Sequence, residues 1–282
     1  NFAAIDQRWT VVEKGNYPAA QDRVRKLLVQ LAELELVEPK TDRAELLGRL
    51  DLDDPANGKS TLVSAQDRTG TRVAQLVIGR RRPNDIAGGE PGVYVRRPDS
   101  DQAWLARGSF ELGGDAIAWL DRRILDIAPR RVAAVVLTAP DGASVTVARR
   151  SPDQPFALDG APADAHAKDD DALAAPAGAL EALDLDDVKP AAEAPIPETG
   201  VATAAFTTFD GLVVGLRLMP ASGAAAGGSG DWVAIAVSGF GKGEAEAKTL
   251  NARLARWSFA IPAARAKLLR TTLAELLQPN GS

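Results

Sequence analysis

The sequence contains no cysteine and only one histidine, His166, among its 282 residues. Without a thiol, the chain can form neither a disulfide framework nor a thiolate metal site. A Ser-His-Asp triad or a histidine-ligated zinc site would have to use His166. That residue stands in an Ala/Asp-rich segment with Asp169, Asp170 and Asp171, so a metal site is one interpretation. An exposed loop histidine is the other, and it is the one we expect.

Long apolar runs and a positive charge excess are also missing. No stretch reaches the ~18 apolar residues of a membrane-spanning helix. The net charge of −5 argues against a general nucleic-acid binder, because binding to phosphates needs a concentrated positive field. The arginine clusters are interspersed with acidic residues and are predicted to be solvated surface: Arg80-Arg81-Arg82, Arg96-Arg97, Arg122-Arg123, Arg130-Arg131 and Arg149-Arg150.

No enzyme motif is complete in this sequence. Gly58-Lys59-Ser60 resembles the end of a phosphate-binding loop, but Asp53 stands where the first glycine should be. The carboxylate pairs in the similar segments 51–54 and 184–187 could bind calcium or cleave glycosides, although neither segment fits an EF-hand. A structural role is expected for both. The sequence therefore predicts no catalytic residue, no cofactor and no metal.

The clearest pattern that is present is an amphipathic helix over 18–39, with leucine and valine at helical spacing. A similar Pro-Ala-Ala start and Leu-Ala-Glu-Leu end recur in 262–279, and a weaker copy lies in 180–190. Aromatic residues precede each copy, namely Trp9, Trp257 and Phe156. The pattern favours internal duplication over a coincidence of abundant alanine and leucine.

Alternating apolar residues and Gly-containing turns predict hairpins and further elements. The predicted hairpins are 60–65 with 71–78, 131–138 with 144–149, and 202–208 with 212–218; the further strands are 93–95, 103–105 and 232–237; the further helices are 115–127, 179–185 and 243–256.

These elements predict an α+β fold of repeated strand–helix–β-hairpin units, with mainly antiparallel sheets each packed on one side by helices. The expected units are residues 1–128, residues 129–256 with an exposed, mobile insertion at 160–178, and a partial strand-helix repeat at 257–282.

Five tryptophans lie in apolar periodic contexts, which favours core or interface packing over a ligand cage. Four residues are predicted as possible interaction residues: Trp104, Trp232, Arg80 and Arg81.

Several stretches together resemble a family of uncharacterised envelope proteins. The resembling pieces are the Trp9 strand with Pro18, the helix end LAELELVEP, LLGRLDLDDP (46–55), LVIGRR (76–81), GVYVRRP (92–98), AWLDRRILDI (118–127) and the C-terminal stretch 257–277. Genes of that family often lie beside those of gliding-motility-type ABC transporters and their auxiliary subunits.

The resemblance implies an N-terminal membrane anchor before Asn1 and a location on the periplasmic face of the inner membrane. It implies an ABC transporter permease or auxiliary subunit as partner, and it carries no catalytic residue. We therefore expect a non-catalytic docking domain of a membrane-anchored accessory protein. The alternatives are a glycan- or lipid-binding envelope module that uses exposed tryptophans, and a carboxylate-dependent hydrolase.

Overall fold

The computed structural model describes residues 1–5, 8–56, 58–66, 69, 71–82, 92–108, 112–113, 115–160, 166–220 and 229–278. The chain divides into two compact units. We call residues 1–19 with 120–282 the larger unit, and residues 20–119 the smaller unit. These boundaries differ from the three consecutive units expected from the sequence, because the larger unit is discontinuous along the chain.

The described strands are β1 (Phe2–Ile5), β2 (Arg8–Val11), β3 (Tyr17–Pro18), β4 (Glu35–Pro39), β5 (Thr61–Gln66), β6 (Arg72–Arg82), β7 (Gly92–Arg96), β8 (Ala103–Arg107), β9 (Arg123–Leu125), β10 (Val132–Thr138), β11 (Ser144–Ala148), β12 (Ala157–Asp159), β13 (Leu183–Asp184), β14 (Asp187–Pro190), β15 (Ala202–Thr208), β16 (Leu212–Pro220), β17 (Ser229–Gly239) and β18 (Trp257–Pro262). The described α-helices are α1 (Gln21–Ala32), α2 (Asp170–Ala174), α3 (Glu244–Leu254), α4 (Ala263–Leu268) and α5 (Leu273–Leu276).

The larger unit is organised around an eight-stranded sheet in the order β12-β11-β10-β15-β16-β17-β18-β14. Burial alternates strictly along β16, where Leu212 and Leu218 are buried and the residues between buried ones are partly exposed. Phe206 and Phe259 fill the same core. Helices α3 and α4 contact β17. This is the α+β arrangement of antiparallel sheet and helices that the sequence predicted.

The first strands of the chain also belong to the larger unit, as the three-stranded sheet β1-β2-β3. The ring of Tyr17 meets the ring of Trp257 edge to face, with 5.0 Å between the ring centroids. Burial raises the pKa of Tyr17, and the nearby charge of Asp121 adds to that rise. A short ion pair between Lys14 and Asp187, with 2.5 Å between Nζ and Oδ1, joins this segment to β14.

The smaller unit contains a five-stranded sheet in the order β4-β8-β7-β6-β5. One cluster of buried residues comprises Leu47, Leu52, Val77 and Ala103. The 3₁₀ helix at Ala44–Leu50 approaches the sheet so closely that a Cβ atom at Gly79 would lie 2.4 Å from the carbonyl oxygen of Leu50. Only glycine fits at this position.

Two predicted helices are shorter than expected, and each is followed by a strand. The helix expected over 18–39 ends at Ala32, and the chain continues as β4, which pairs with β8. The helix expected over 115–127 is a short 3₁₀ helix (Ala116–Trp119) followed by β9, where Leu125 pairs with Leu183. In both segments, hydrogen bonding to a distant strand prevails over the local helical period.

Three other helix predictions have different outcomes. The helix expected over 243–256 is confirmed as α3. The segment 179–185 is instead the end of a 3₁₀ helix (Ala175–Leu180) and then β13. The C-terminal helix is divided into α4 and α5, because Thr272 and Glu275 form a capping box that starts a new helix.

The described part of the predicted insertion at 160–178 is residue 160 together with residues 166–178, and it is only partly exposed. Residues 161–165 lie outside the described residues, and so do most of the turn at 67–70 and the loop at 221–228. Beyond residue 165, α2 and the following 3₁₀ helix bury Leu173 and Ala177. In this part residues 168–171 are exposed, as expected, whereas the few apolar residues of 172–178 reach the core.

Internal repetition is present in strand order, with boundaries other than those predicted. In the larger unit, the run β14-β18-β17-β16-β15 has the same antiparallel order as β4-β8-β7-β6-β5 in the smaller unit. The aromatic residues that precede the predicted copies do not occupy equivalent positions in the fold. Trp9 lies in β2, whereas Phe156 precedes β12 and its ring lies under the guanidinium of Arg149. Trp257 opens β18, which takes the position of β8, so 257–282 does not begin a third repeat.

Candidate interaction surface

The edge strands of the two large sheets differ in how they are protected against pairing with another chain. In β4, two glutamates, a proline and a bulge interrupt the edge. The edge strand β14 carries Asp187, Lys189 and Pro190, and β12 is only three residues long and ends at Asp159. Charge, proline and short length are the usual means of blocking edge-to-edge pairing.

The fourth edge, β5, carries no charge or proline and is six residues long, although it has a bulge at its end, between Ala65 and Gln66. Its sequence is Thr-Leu-Val-Ser-Ala-Gln, without charge or proline. On one side it pairs with β6, where Leu62 lies opposite Val77, and Gln75 Nε2 donates to Ser64 Oγ over 2.7 Å. On its other side no strand pairs with it within the described ranges. Among the described strands, none satisfies its outward N–H and C=O groups.

The corresponding strand of the larger unit is fully paired. Strand β15 pairs with β16 on one side and with β10 on the other, where Phe206 lies opposite Val135. In the larger unit, the additional antiparallel strand β10 therefore lies at the position that corresponds to the outer side of β5 in the smaller unit.

Apolar side chains are exposed on the β5–β6 hairpin. The exposed fractions are 43% for Leu62 and 64% for Val73, which lies at the bulge between the two strands. Other large apolar residues of the smaller unit that are exposed are Leu28, Val29, Leu36 and Val37. Of these, Leu36 and Val37 belong to β4 at the opposite edge of the sheet and Leu28 and Val29 to α1, so the exposed apolar side chains at the open edge are Leu62 and Val73.

The four predicted interaction residues do not converge. Arg80 and Arg81 are exposed on β6, where Arg80 donates to the carbonyl oxygen of Arg49. Trp104 is half-buried on β8, opposite Pro39 and Val95 of its neighbouring strands.

Trp232 lies in the other sheet, on β17 of the larger unit, where Lys189 Nζ stands 5.1 Å from the ring centroid. The sequence predicted the strand at 60–65 but not an interaction site on it, although the lack of charge in β5 was a usable signal.

Several arginines are structural, which corrects the prediction that the clusters are solvated surface. Arg96 is buried, and its Nε donates to the carbonyl oxygen of Leu52 over 2.8 Å. Arg149 donates to the carbonyl oxygens of Val132 and Pro129. A guanidinium has five donors, so it can satisfy several orphan carbonyl groups at once.

Arg131 joins a strand turn to a helix in the larger unit. Its Nη2 lies 2.7 Å from Asp210 Oδ2 and 2.6 Å from Glu246 Oε2. The hydrogen bond from the Thr208 hydroxyl, together with Arg131, holds the pKa of Asp210 below its usual range. Asp210 follows β15 and Glu246 lies in α3, so this network fixes the helix to the sheet.

The acidic segments predicted to be structural take part in ion pairs and turns. Asp184 pairs with Arg123 over 2.6 Å, and Asp54 accepts from the backbone N–H of Ala56. Asp169 caps α2 by accepting from the N–H of Ala172 over 2.9 Å, while His166 is exposed. Within the part of the chain that the structure describes, no three acidic or histidine side chains are grouped to hold a metal ion.

Residues 9–204 match a family described as Domain of unknown function (DUF4340). The chain belongs to this family. The matched range includes the whole smaller unit with β5, and it ends within β15 of the larger unit. None of the curated proteins matches the chain, and no solved structure does. Among the helices of the described residues, none has the length and apolar character needed to span a membrane.

Proposed function

We propose that this DUF4340 chain is a non-catalytic docking domain, and that it binds its partner by strand addition at β5. The observation that carries the proposal is the open, uncharged edge of β5 at a position that β10 fills in the other unit. In strand addition, main-chain hydrogen bonds supply affinity and alternate side chains supply specificity.

The chemistry of β5 defines the segment that fits beside it. Leu62 and Ser64 lie on one face of the strand, while Val63 and Ala65 lie on the other. A partner strand of five or six residues, uncharged and rich in β-branched side chains, would complete the pairing. Strand β10, with the sequence Val-Ala-Ala-Val-Val-Leu-Thr, is an example of such a segment.

The setting that we propose rests on the resemblance of stretches such as LLGRLDLDDP (46–55) to envelope proteins. There, the domain is part of a membrane-anchored accessory protein on the periplasmic face of the inner membrane. Its partner is a permease or auxiliary subunit of an ABC transporter. A non-catalytic role is supported by the arrangement of charged side chains, because the principal carboxylate clusters serve ion pairs and helix caps.

No specific observation favours the glycan-binding alternative, since Trp104 and Trp232 belong to different sheets. A hydrolase with two carboxylates across a cleft likewise has no feature in its favour.

The experiment places a photo-crosslinking residue at position 62 of the full-length protein in native membranes. We expect a crosslink to a permease or auxiliary subunit, identified by mass spectrometry. The same residue at position 136, exposed in the middle of the larger sheet, is the control and should not give this product. Crosslinks at position 62 that contain no transporter subunit would refute the proposed partner.

A matched pair of substitutions tests the edge itself. Leu62→Lys places a charge on β5 and, with the photo-crosslinking residue moved to position 64 on the same face of the strand, should abolish the crosslinked complex, whereas Val73→Lys on the neighbouring β6 should retain it. Equal loss in both variants would show that the hairpin surface, not the edge, makes the contact.

A further inference from the structure

The open edge of β5 also fits the same edge of a second copy of this chain. Two identical strands pair antiparallel about a twofold axis perpendicular to the sheet, which gives an isologous interface. In such a pair, each residue lies opposite a residue of the same short segment, and like charges placed opposite one another are destabilising. Strand β5 avoids this repulsion, since none of its six residues is charged.

The other edge strands of the two large sheets are less suited to self-pairing. Strands β4 and β14 each contain a proline, which has no N–H group to donate to a ladder. Strand β12 is only three residues long. Among the edges of these two sheets, β5 is therefore the one on which two copies can form a regular ladder.

The pleat and the bulge of β5 determine the register of this ladder. Opposite residues of an antiparallel pair lie on the same face, so one residue at the axis must lie opposite its own copy. The regular part of β5 before its bulge is residues 61–65, and the middle residue is Val63. An axis at Ser64 would instead place Leu62 opposite Gln66, which lies beyond the bulge.

This register covers apolar surface that a single chain exposes. Leu62 is 43% exposed, and Val63 is partly exposed. The two Val63 side chains would lie directly opposite one another, with about 4.5–5.5 Å between their Cβ atoms. On the other face, the two Leu62 side chains would be diagonal neighbours, which long side chains can bridge.

The contact is small by the standard of stable complexes. It uses five residues of each copy, whereas a standard interface uses about 20–30 residues a side. We therefore expect an association that forms at high protein concentration and is reversed by dilution or by a stronger competitor.

We propose that β5 pairs with β5 of a second copy in the register centred on Val63, and that this weak dimer covers the edge until the docking partner displaces it. The displacement rests on the proposed function, because both contacts use the outer side of β5 and only one strand can occupy it. The pairing of two copies does not depend on a transporter subunit.

Single cysteines report the register directly, because the chain has no cysteine of its own. Opposite residues of an antiparallel pair have Cα atoms about 4.5–5.5 Å apart, which is within the range of a disulfide. Val63→Cys in the full chain should therefore give a disulfide-linked dimer under mild oxidation. Thr61→Cys, an exposed control whose copies would lie four residues out of register, should give far less. A comparable yield from Thr61→Cys, or a higher yield from Ser64→Cys, would overturn the register.

Sedimentation measures the association without a crosslink. The average mass of the unaltered chain should rise from monomer toward dimer between about 5 and 500 μM. Leu62→Lys places two ammonium groups near the axis and should weaken the association about tenfold or more. Val73→Lys, at an exposed position of β6, is the matched control and should associate as the unaltered chain does. A monomer over the whole range, or equal weakening by both variants, would overturn the dimer.

The same disulfide tests the displacement in native membranes. A full-length Val63→Cys chain with the photo-crosslinking residue at position 62 should lose the transporter-subunit product when oxidised and regain it on reduction. Equal product in both samples would refute mutual exclusion. If the reduced sample also lacks the product, the docking proposal fails and the displacement with it, while the dimer is judged by the sedimentation alone.

Discussion

The two units share an order of five strands but differ in how completely those strands are covered. In the larger unit, β15 is paired on both sides and α3 is inserted between β17 and β18. In the smaller unit, β5 pairs with β6 and has no second partner among the described strands, and the connection between β7 and β8 is short. The same strand order therefore gives a strand paired on both sides in the larger unit and an open edge strand in the smaller unit.

The difference also appears in single side chains. Leu216 of β16 is buried, whereas Leu62 of β5 is exposed. Exposed apolar surface on a strand adds little to the stability of an isolated chain, but it becomes valuable when a partner covers it. Under the proposed function, the exposed strand of the smaller unit is the surface for association, and its counterpart in the larger unit is part of the packed core.

The largest expected contrast comes from matched leucine truncations. Leu216→Ala should reduce the free energy of unfolding by about 2–5 kcal/mol, because it leaves a cavity in a packed core. Leu62→Ala should change it by less than about 1 kcal/mol, since this side chain is already exposed. Urea denaturation of the two variants measures both values, and similar losses would break the comparison.

A second pair of variants uses glycines of the two sheets. Gly79→Ala in the smaller unit should destabilise the protein by about 1–3 kcal/mol, because its Cβ would meet backbone oxygens of Leu50 and Asp51. Gly215→Ala in the larger unit has its nearest neighbour, the carbonyl oxygen of Ala236, at 3.7 Å.

Because that distance is an ordinary contact, Gly215→Ala should be within about 0.5–1 kcal/mol of the parent or slightly more stable. Thermal denaturation compares the two variants. Tolerance of alanine at position 79 would mean that the Ala44–Leu50 helix can move away from the sheet.

The smallest effect concerns pH and the attachment of α3. The pKa of Asp210 in the folded state is lowered, chiefly by the hydrogen bond from Thr208 and also by Arg131. The ionised Asp210 therefore stabilises the fold above the pKa of the unfolded chain, which is near 4, and this contribution is lost as the pH falls through the folded-state pKa. Asp210→Asn should cost less than about 1 kcal/mol at pH 7, since this side chain is partly exposed.

In Asp210→Asn, the loss of stability on acidification should also be reduced. Asp99→Asn, at an exposed position, is the control. Unfolding measured from pH 7 to pH 3 would contradict the assignment if the Asp210→Asn variant and the parent lost stability in parallel.

The hairpins were predictable because alternation and glycine turns are local signals, as the pairing of β15 with β16 confirms. The helix expected over 115–127 was not, because β9 is formed by pairing with β13, some 60 residues further along the chain. The composition of β5 was visible in the sequence, but its open edge depends on strand order.

The larger unit begins before the smaller one and ends after it, and a β-bridge joins Ala19 to Leu120 where the chain leaves and returns. During synthesis on the ribosome, residues 20–119 can emerge and fold before the segments that pack against the first 19 residues have been made. Tyr17 meets Trp257 only after a further 138 residues beyond residue 119 have been made, which takes about 7–28 s at about 5–20 residues per second. The uncharged strand β5 is therefore present early in biosynthesis, and a partner made in the same period could pair with it before the rest of the protein is complete.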